Sequence, residues 1–185
     1  LKFLFNKYNA LISVKMTTRE QEYEPFKEFY YNIINELHID GNPKEQAEKL
    51  ARDFVYNEDK YVMYDDVYDF LSDASKEHTL ILLSDNWPCV YNILKRWNIY
   101  DFFTKIYISS EYCELKKDGK FFDRPINEFN IKENEAIFVD DNPDLLVVAV
   151  KKKLSPILMD RANNYRQFNK YSRITKLNEV IVWKH

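Results

Sequence analysis

Short, unbroken apolar runs punctuate the chain, and between them apolar residues recur at helical spacing. Four runs predict buried strands: Lys2 to Phe5, Leu80 to Leu83, Ile106 to Ile108 and Ala136 to Val139, with a weaker fifth at Pro156 to Met159. None alternates apolar with polar positions, as befits strands covered on both faces. Between the later runs, Val90, Ile93, Leu94 and Trp97 follow i, i+3, i+4, i+7 spacing; Ile126 with Phe129, and Leu145, Val148 and Ala149, behave alike. Strands alternating with helices predict an α/β core on a parallel sheet with right-handed crossovers.

Residues 17–76 break that alternation. Thr17 or Thr18 can cap a long helix carrying Phe26, Phe29, Tyr30, Ile33, Ile34 and Leu37 on its inner face, and Asp40-Gly41-Asn42-Pro43 stops it. A second helix is predicted from about Lys44 to Tyr56 and a third from about Asp65 to Leu71. The span reads as an all-helical insert between the first and second strands. The expected division is a core of residues 1–16 and 77–185 and a helical cap of residues 17–76.

Composition narrows the classes. With 45% hydrophobic and 16% aromatic residues, the 185-residue chain can bury a sizeable core. A net charge of −3 from 27 basic and 30 acidic residues predicts no extended nucleic-acid surface, and Lys151-Lys152-Lys153 reads as a solvated helix end. No apolar run approaches the ~20 residues that span a bilayer, and the N-terminal segment does not look like a secretory leader. Cys89 and Cys113 lack metal-ligand spacing and read as reduced thiols of a cytoplasmic protein. Gly41 and Gly119 are the only glycines, which excludes a Gly-rich phosphate loop.

Open parallel sheets bind ligands at the carboxyl ends of their strands. There the chain carries Asn6-Lys7-Tyr8, Ser84-Asp85-Asn86, Lys116-Lys117-Asp118-Gly119 and Asp140-Asp141-Asn142-Pro143-Asp144. A hydroxyl, an ammonium and paired carboxylates suit a phosphate and a magnesium ion. The bland readings are a helix cap for Ser84, a surface lysine for Lys116 with Lys117 as its rival, and turn residues for the aspartates.

The order strand, helical insert, strand-Ser, Lys, strand-Asp-Asp resembles the haloacid dehalogenase-like (HAD) hydrolases with a small helical cap, over essentially the whole chain. Ile137-Phe138-Val139-Asp140-Asp141-Asn142-Pro143 is the most specific piece, and Leu82-Leu83-Ser84 supports it in register. Glu111 to Asp118 resembles the family's run ending Lys-Pro-Asp, with Lys116 as the family lysine, and Ile174 to Glu179 resembles the entry to the last helix. The resemblance implies a Rossmann-like three-layer parallel sheet with an inserted all-helical cap. It also implies a phosphatase working through an aspartyl-phosphate with Mg²⁺ on a small phosphorylated metabolite or phosphate-like anion. Ser84, with Asp85 and Asn86, would hold the phosphoryl group, Lys116 would neutralise charge, and Asp141, supported by Asp140, would hold the metal beside position 6. Asn6, Ser84 and Asp141 are then expected in one cleft, with Lys116 pointing into it.

The first motif departs from the family. In the frame Phe5-Asn6-Lys7-Tyr8-Asn9-Ala10-Leu11-Ile12, Asn6 stands at the nucleophile and metal-ligand position. An amide is a poor nucleophile and removes one negative charge from a metal site, so Mg²⁺ is expected to bind weakly or not at all without phosphate. Tyr8 replaces the acid–base aspartate, Ala10 lacks a frequent hydroxyl, and Leu145 stands where an acid or amide often follows the paired aspartates, with Asp144 beside it as a substitute. Three accounts fit: a ligand-binding or regulatory pseudo-hydrolase, an active or weakly active hydrolase using altered chemistry, and an engineered Asp-to-Asn trap of an active phosphatase; among enzymatic reactions, dehalogenation of a small acid is the alternative to phosphate-monoester hydrolysis.

Overall fold

A computed structural model describes Tyr8 and residues 10–180 of the chain. The expected strand Lys2 to Phe5, and Asn6 with it, lie outside the described residues. The chain divides into two units: residues up to 62 with 84–101 and 106–113, and residues 63–83 and 102–105 with those from 114 onward.

In the first unit, a 3-10 turn at Arg19–Glu22 runs into helix α1, Tyr23–Glu36. The expected threonine cap therefore serves the turn and not the α-helix: Gln21 Oε1 accepts the N–H groups of Thr17 and Thr18 at 2.8 and 3.2 Å. The reason is Pro25, which has no N–H to bond the carbonyl of Gln21, so the regular ladder cannot start earlier. His38, at φ 50°, ends the helix. Asn42 then accepts the N–H of Lys44 at 3.1 Å, with Pro43 opening helix α2, Pro43–Tyr56. Ala47, Ala51 and Val55 form its buried stripe. The core joins Leu11, Met16, Phe26, Ala51, Val55, Trp87 and Cys89. Phe26 stacks on Phe54 with ring centroids 4.0 Å apart and meets Trp87 edge-on at 5.0 Å.

The third predicted helix forms with shifted ends. Helix α3 is Val67–Glu77, starting later than Asp65 and running past Leu71 because Ala74 continues the buried stripe of Leu71. Upstream, the Asn57 side chain accepts the N–H of Asp59 at 3.0 Å, a local bond that competes with helix. Every regular element described between residues 17 and 76 is helical.

The predicted strands appear within a residue or two of their expected bounds: β1, Ile81–Ser84; β2, Lys105–Ile108; β3, Ile137–Asp140; and β4, Ser155–Met159. Among the described residues they fall in two sheets, β1-β2 and a sheet in which β3 and a short β5, Ser172–Ile174, flank β4. Both pairings in the second sheet are parallel, with Asp140 opposite Leu158 and Met159 opposite Ile174. Pro156 is tolerated in this central strand because β5 pairs only from Ile157 onward. Helices α4, Cys89–Arg96, α6, Lys120–Glu128, and α7, Pro143–Lys151, complete the alternation, with a single turn α5, Ser109–Tyr112, after β2. In the second unit, Phe122, Ala149 and Leu154 gather Leu83, Ile126, Ile131, Ala136, Phe138 and Val148 around them.

Candidate functional site

The carboxyl end of β3 carries the densest chemistry. Lys116 opens a 3-10 turn, Lys116–Asp118, that closes when the N–H of Gly119 donates to the Lys116 carbonyl at 3.0 Å. Gly119 has φ 75°, a left-handed conformation suited to glycine. This turn aims Lys116 Nζ at Asp140 Oδ2, 2.6 Å away, with the two side chains only 12% and 8% exposed. Lys116 also lies 5.9 Å from the centre of the Phe138 ring. Lys117 is exposed, so of the two rival lysines it is Lys116 that meets the strand-end carboxylate.

The paired aspartates have separate surroundings. Asp140 Oδ1 accepts the N–H of Asn142 at 2.9 Å, and Asn142 Oδ1 accepts the N–H of Asp144 at 2.9 Å, capping α7. Asp141 is exposed. Leu145 is buried in α7 and serves the core. Among the described residues no three His, Cys, Asp or Glu side chains form a group able to hold a metal ion. Asp140 and Asp141 supply hard oxygen donors of the kind Mg²⁺ takes, but both oxygens of Asp140 already have partners. The described donors fall short of a metal site by themselves.

Ser84 ends β1 half-buried, followed by exposed Asp85 and half-buried Asn86. The hydroxyl of Ser84 does not cap α4, which begins five residues later with Pro88 at its N-cap. Asn86 is held at several atoms. Its N–H donates to Ser109 Oγ at 3.0 Å, its carbonyl accepts the Ser109 hydroxyl at 3.2 Å and the Ser110 N–H at 3.3 Å, and its Oδ1 accepts the Trp87 N–H at 2.9 Å. Ser109 and Ser110 were absent from the sequence-derived candidates, although they stand directly after the third predicted strand. Tyr8 is 44% exposed, edge-on to Trp87 with centroids 6.2 Å apart. Partial burial and the nearby Asp85 raise its phenol above the ordinary value, making it a still weaker proton shuttle at neutral pH.

A lysine and a carboxylate thus meet at one strand end, and a turn led by Ser84 extends from another. The model of the haloacid dehalogenase-like hydrolase family matches residues 4–155, most of the chain. The chain belongs to the haloacid dehalogenase-like hydrolases. Solved structures agree on the α/β fold. The proposed HAD-hydrolase YfnB of Bacillus subtilis, bound to magnesium, is 16% identical with a TM-score of 0.67, over 85% of this chain and 70% of that one. L-2-haloacid dehalogenase of Xanthobacter autotrophicus, with chloropropionic acid covalently bound, is 12% identical with a TM-score of 0.64, over 85% and 73%. The HAD phosphatase of Thermococcus onnurineus is 17% identical with a TM-score of 0.62, over 90% and 91%. No curated protein matches the chain in sequence. No helix among the described residues of this HAD-like hydrolase is long and apolar enough to cross a membrane.

Proposed function

We propose that the chain is a phosphatase-type member of the family that binds the phosphoryl group of a small monoester and is catalytically impaired by Asn6. The observation that carries this reading is the 2.6 Å pair of Lys116 with Asp140, two poorly exposed charges at a strand end. Its lysine is already held among poorly exposed groups, so it would meet a phosphoryl anion with little further loss of its own hydration. Ser84, Asp85 and Asn86 are the phosphoryl-binding set of this reading, and residues 17–76 are its substrate-selecting cap. Asp140 and Asp141 would hold a Mg²⁺ ion, with position 6 as the third ligand. The ion would supply positive charge for the phosphoryl oxygens, bound weakly because Asn6 contributes no charge.

The family's reaction needs a carboxylate at position 6 to attack phosphorus, and the amide of Asn6 lacks that anion. Loss of such a nucleophile costs on the order of 10⁴ to 10⁶ in rate. A dehalogenase-type reading is the second one, favoured by Tyr8 in place of the acid–base aspartate; it needs the same missing carboxylate to displace halide.

The test is turnover of p-nitrophenyl phosphate with Mg²⁺, and chloride release from chloropropionate, by the chain and by Asn6→Asp. The unmodified chain is expected near background on both. Asn6→Asp is expected to recover covalent phosphorylation and part of the phosphatase turnover, and Asn6→Asp with Tyr8→Asp to speed the dephosphorylation step. Turnover by the unmodified chain at about 1 s⁻¹ or more refutes the impaired-nucleophile reading. Chloride release alone from Asn6→Asp replaces the phosphatase reading with the dehalogenase one.

A further inference from the structure

Glu22 is fully buried, at 0% exposure, an unusual position for a carboxylate. It ends the 3-10 turn that leads into α1, and its Oε1 accepts the backbone N–H of Cys89, the first residue of α4. Its Oε2 is buried without a hydrogen-bond partner, although the Cys89 thiol also bonds the carboxyl. Arg19 and Glu20 of the same turn, the Cys89 thiol and the Tyr61 phenol act on it, and Lys60 acts on the thiol. Arg19, the cation that lowers the Glu22 carboxyl, makes its bonds elsewhere, donating from Nε to the Val55 carbonyl at 2.8 Å and pairing with Glu58 at 2.9 Å.

A helix start leaves N–H groups without intrahelical partners. The N-cap of α4 is Pro88, whose side chain accepts nothing, so Glu22 supplies the acceptor from a distant part of the chain. The turn Ser84–Pro88 is thus held at three places: Ser109 grips Asn86, the aromatic cluster grips Trp87, and Glu22 grips the exit at Cys89. Of these three only the Glu22 grip can change its charge near neutral pH.

We propose that Glu22 is a positioning residue for the strand-end turn Ser84–Pro88, and that its protonation state sets how firmly the turn is held. The consequence for ligand binding rests on the reading of Ser84, Asp85 and Asn86 as the phosphoryl-binding set. Burial pushes the Glu22 carboxyl up to about 7, against the lowering by Cys89 and Arg19. Neutral Glu22 keeps the bond from Cys89 without burying a charge. Ionised Glu22 leaves a buried anion with one unpartnered oxygen, and loosening of the turn relieves it.

The experiment uses the full chain, Glu22→Gln, Glu22→Ala and Ser84→Ala. Backbone amide exchange at Trp87 and Cys89 is read across about pH 5.5 to 8.5, and sulfate, dianionic throughout that window, is titrated by calorimetry. In the unmodified chain the two amides are expected to lose protection beyond the intrinsic pH effect, and sulfate affinity to fall about threefold or more, as pH rises through neutrality. Glu22→Gln keeps a carbonyl acceptor and is expected to flatten both profiles. Glu22→Ala is expected to raise Cys89 exchange at every pH. A step that persists in Glu22→Gln, or Cys89 exchange that Glu22→Ala leaves unchanged, overturns the positioning role. Sulfate binding absent from the unmodified chain, or unaffected by Ser84→Ala, overturns the phosphoryl-site reading instead; the amide exchange then decides the Glu22 role on its own.

Discussion

Lys116 and Asp140 neutralise each other at 2.6 Å with little exposure to water. Removing one charge leaves the other poorly solvated, which for buried pairs costs about 3–5 kcal/mol, while replacing both with neutral groups costs much less. With about a tenth of each side chain still wet, Lys116→Met and Asp140→Asn are each expected to lose on the order of 2–3 kcal/mol. The double variant should lose less than the sum, with a coupling of about 1 kcal/mol or more. Urea unfolding of the four proteins measures this. Additive losses would show that the pair is not the unit that the geometry describes.

At the scale of elements, the Lys116–Asp118 turn depends on the glycine that ends it. Gly119 takes φ 75°, and a Cβ there would meet Lys152 Cε at 3.3 Å and Val148 Cγ1 at 3.5 Å, close but not prohibitive because Lys152 is flexible. Backbone strain is therefore the larger effect. Gly119→Ala is expected to cost about 1–2 kcal/mol, and Gly119→Asn less, because asparagine tolerates the left-handed region. The comparison by denaturant unfolding separates strain from crowding: a greater loss in Gly119→Asn than in Gly119→Ala points to crowding against α7. Elsewhere the element ends are locally sealed, as at Asn42 before α2 and Asn142 before α7.

Across the whole molecule, the few acids that folding shifts move in opposite directions in the two units. In the first, burial raises Glu22 to about 7 and also raises Glu111, which lies 3.0 Å from the Tyr91 hydroxyl. In the second, Asp66 is held low despite burial by Arg161 and the Leu177 N–H, and Asp160 by the N–H groups of Tyr165 and Asn164 and by Arg173. Glu114 beside Arg124 and Glu179 bonded to Thr175 are lowered as well. A carboxyl lowered on folding contributes stability above its unfolded value that is lost as pH falls; a raised one contributes stability below its unfolded value that is lost as pH rises. Below about pH 4, the second unit should therefore lose protection first, starting at β4 and β5. Between the ordinary carboxyl value of 4.5 and about 7, Glu22 should instead weaken the first unit as pH climbs. Pulse hydrogen exchange across pH reads both, and uniform loss in the two units would contradict this assignment.

Features that depend on local pattern are written into runs of neighbouring residues. Four strands, the helix stripes and the Asp40-Gly41-Asn42-Pro43 stop were legible because burial on both faces, helical periodicity and turn chemistry write themselves into neighbouring residues. The family was legible in Ile137 to Pro143, and the strand-end rule named Ser84, Lys116 and the aspartates. Strand β5 was not legible: Ser172–Ile174 is short and mostly polar, and it pairs with β4 while Arg173 bonds Asp160 at 2.9 Å across the intervening loop. The choice of Lys116 over Lys117 required the turn that aims one lysine at Asp140 and the other at water. Glu22 carried no local signal at all, since nothing near it in sequence says that its carboxylate will meet the first N–H of α4. Local order arises from neighbours along the chain; these last three features depend on contacts between residues distant in sequence, which form only once the chain has folded.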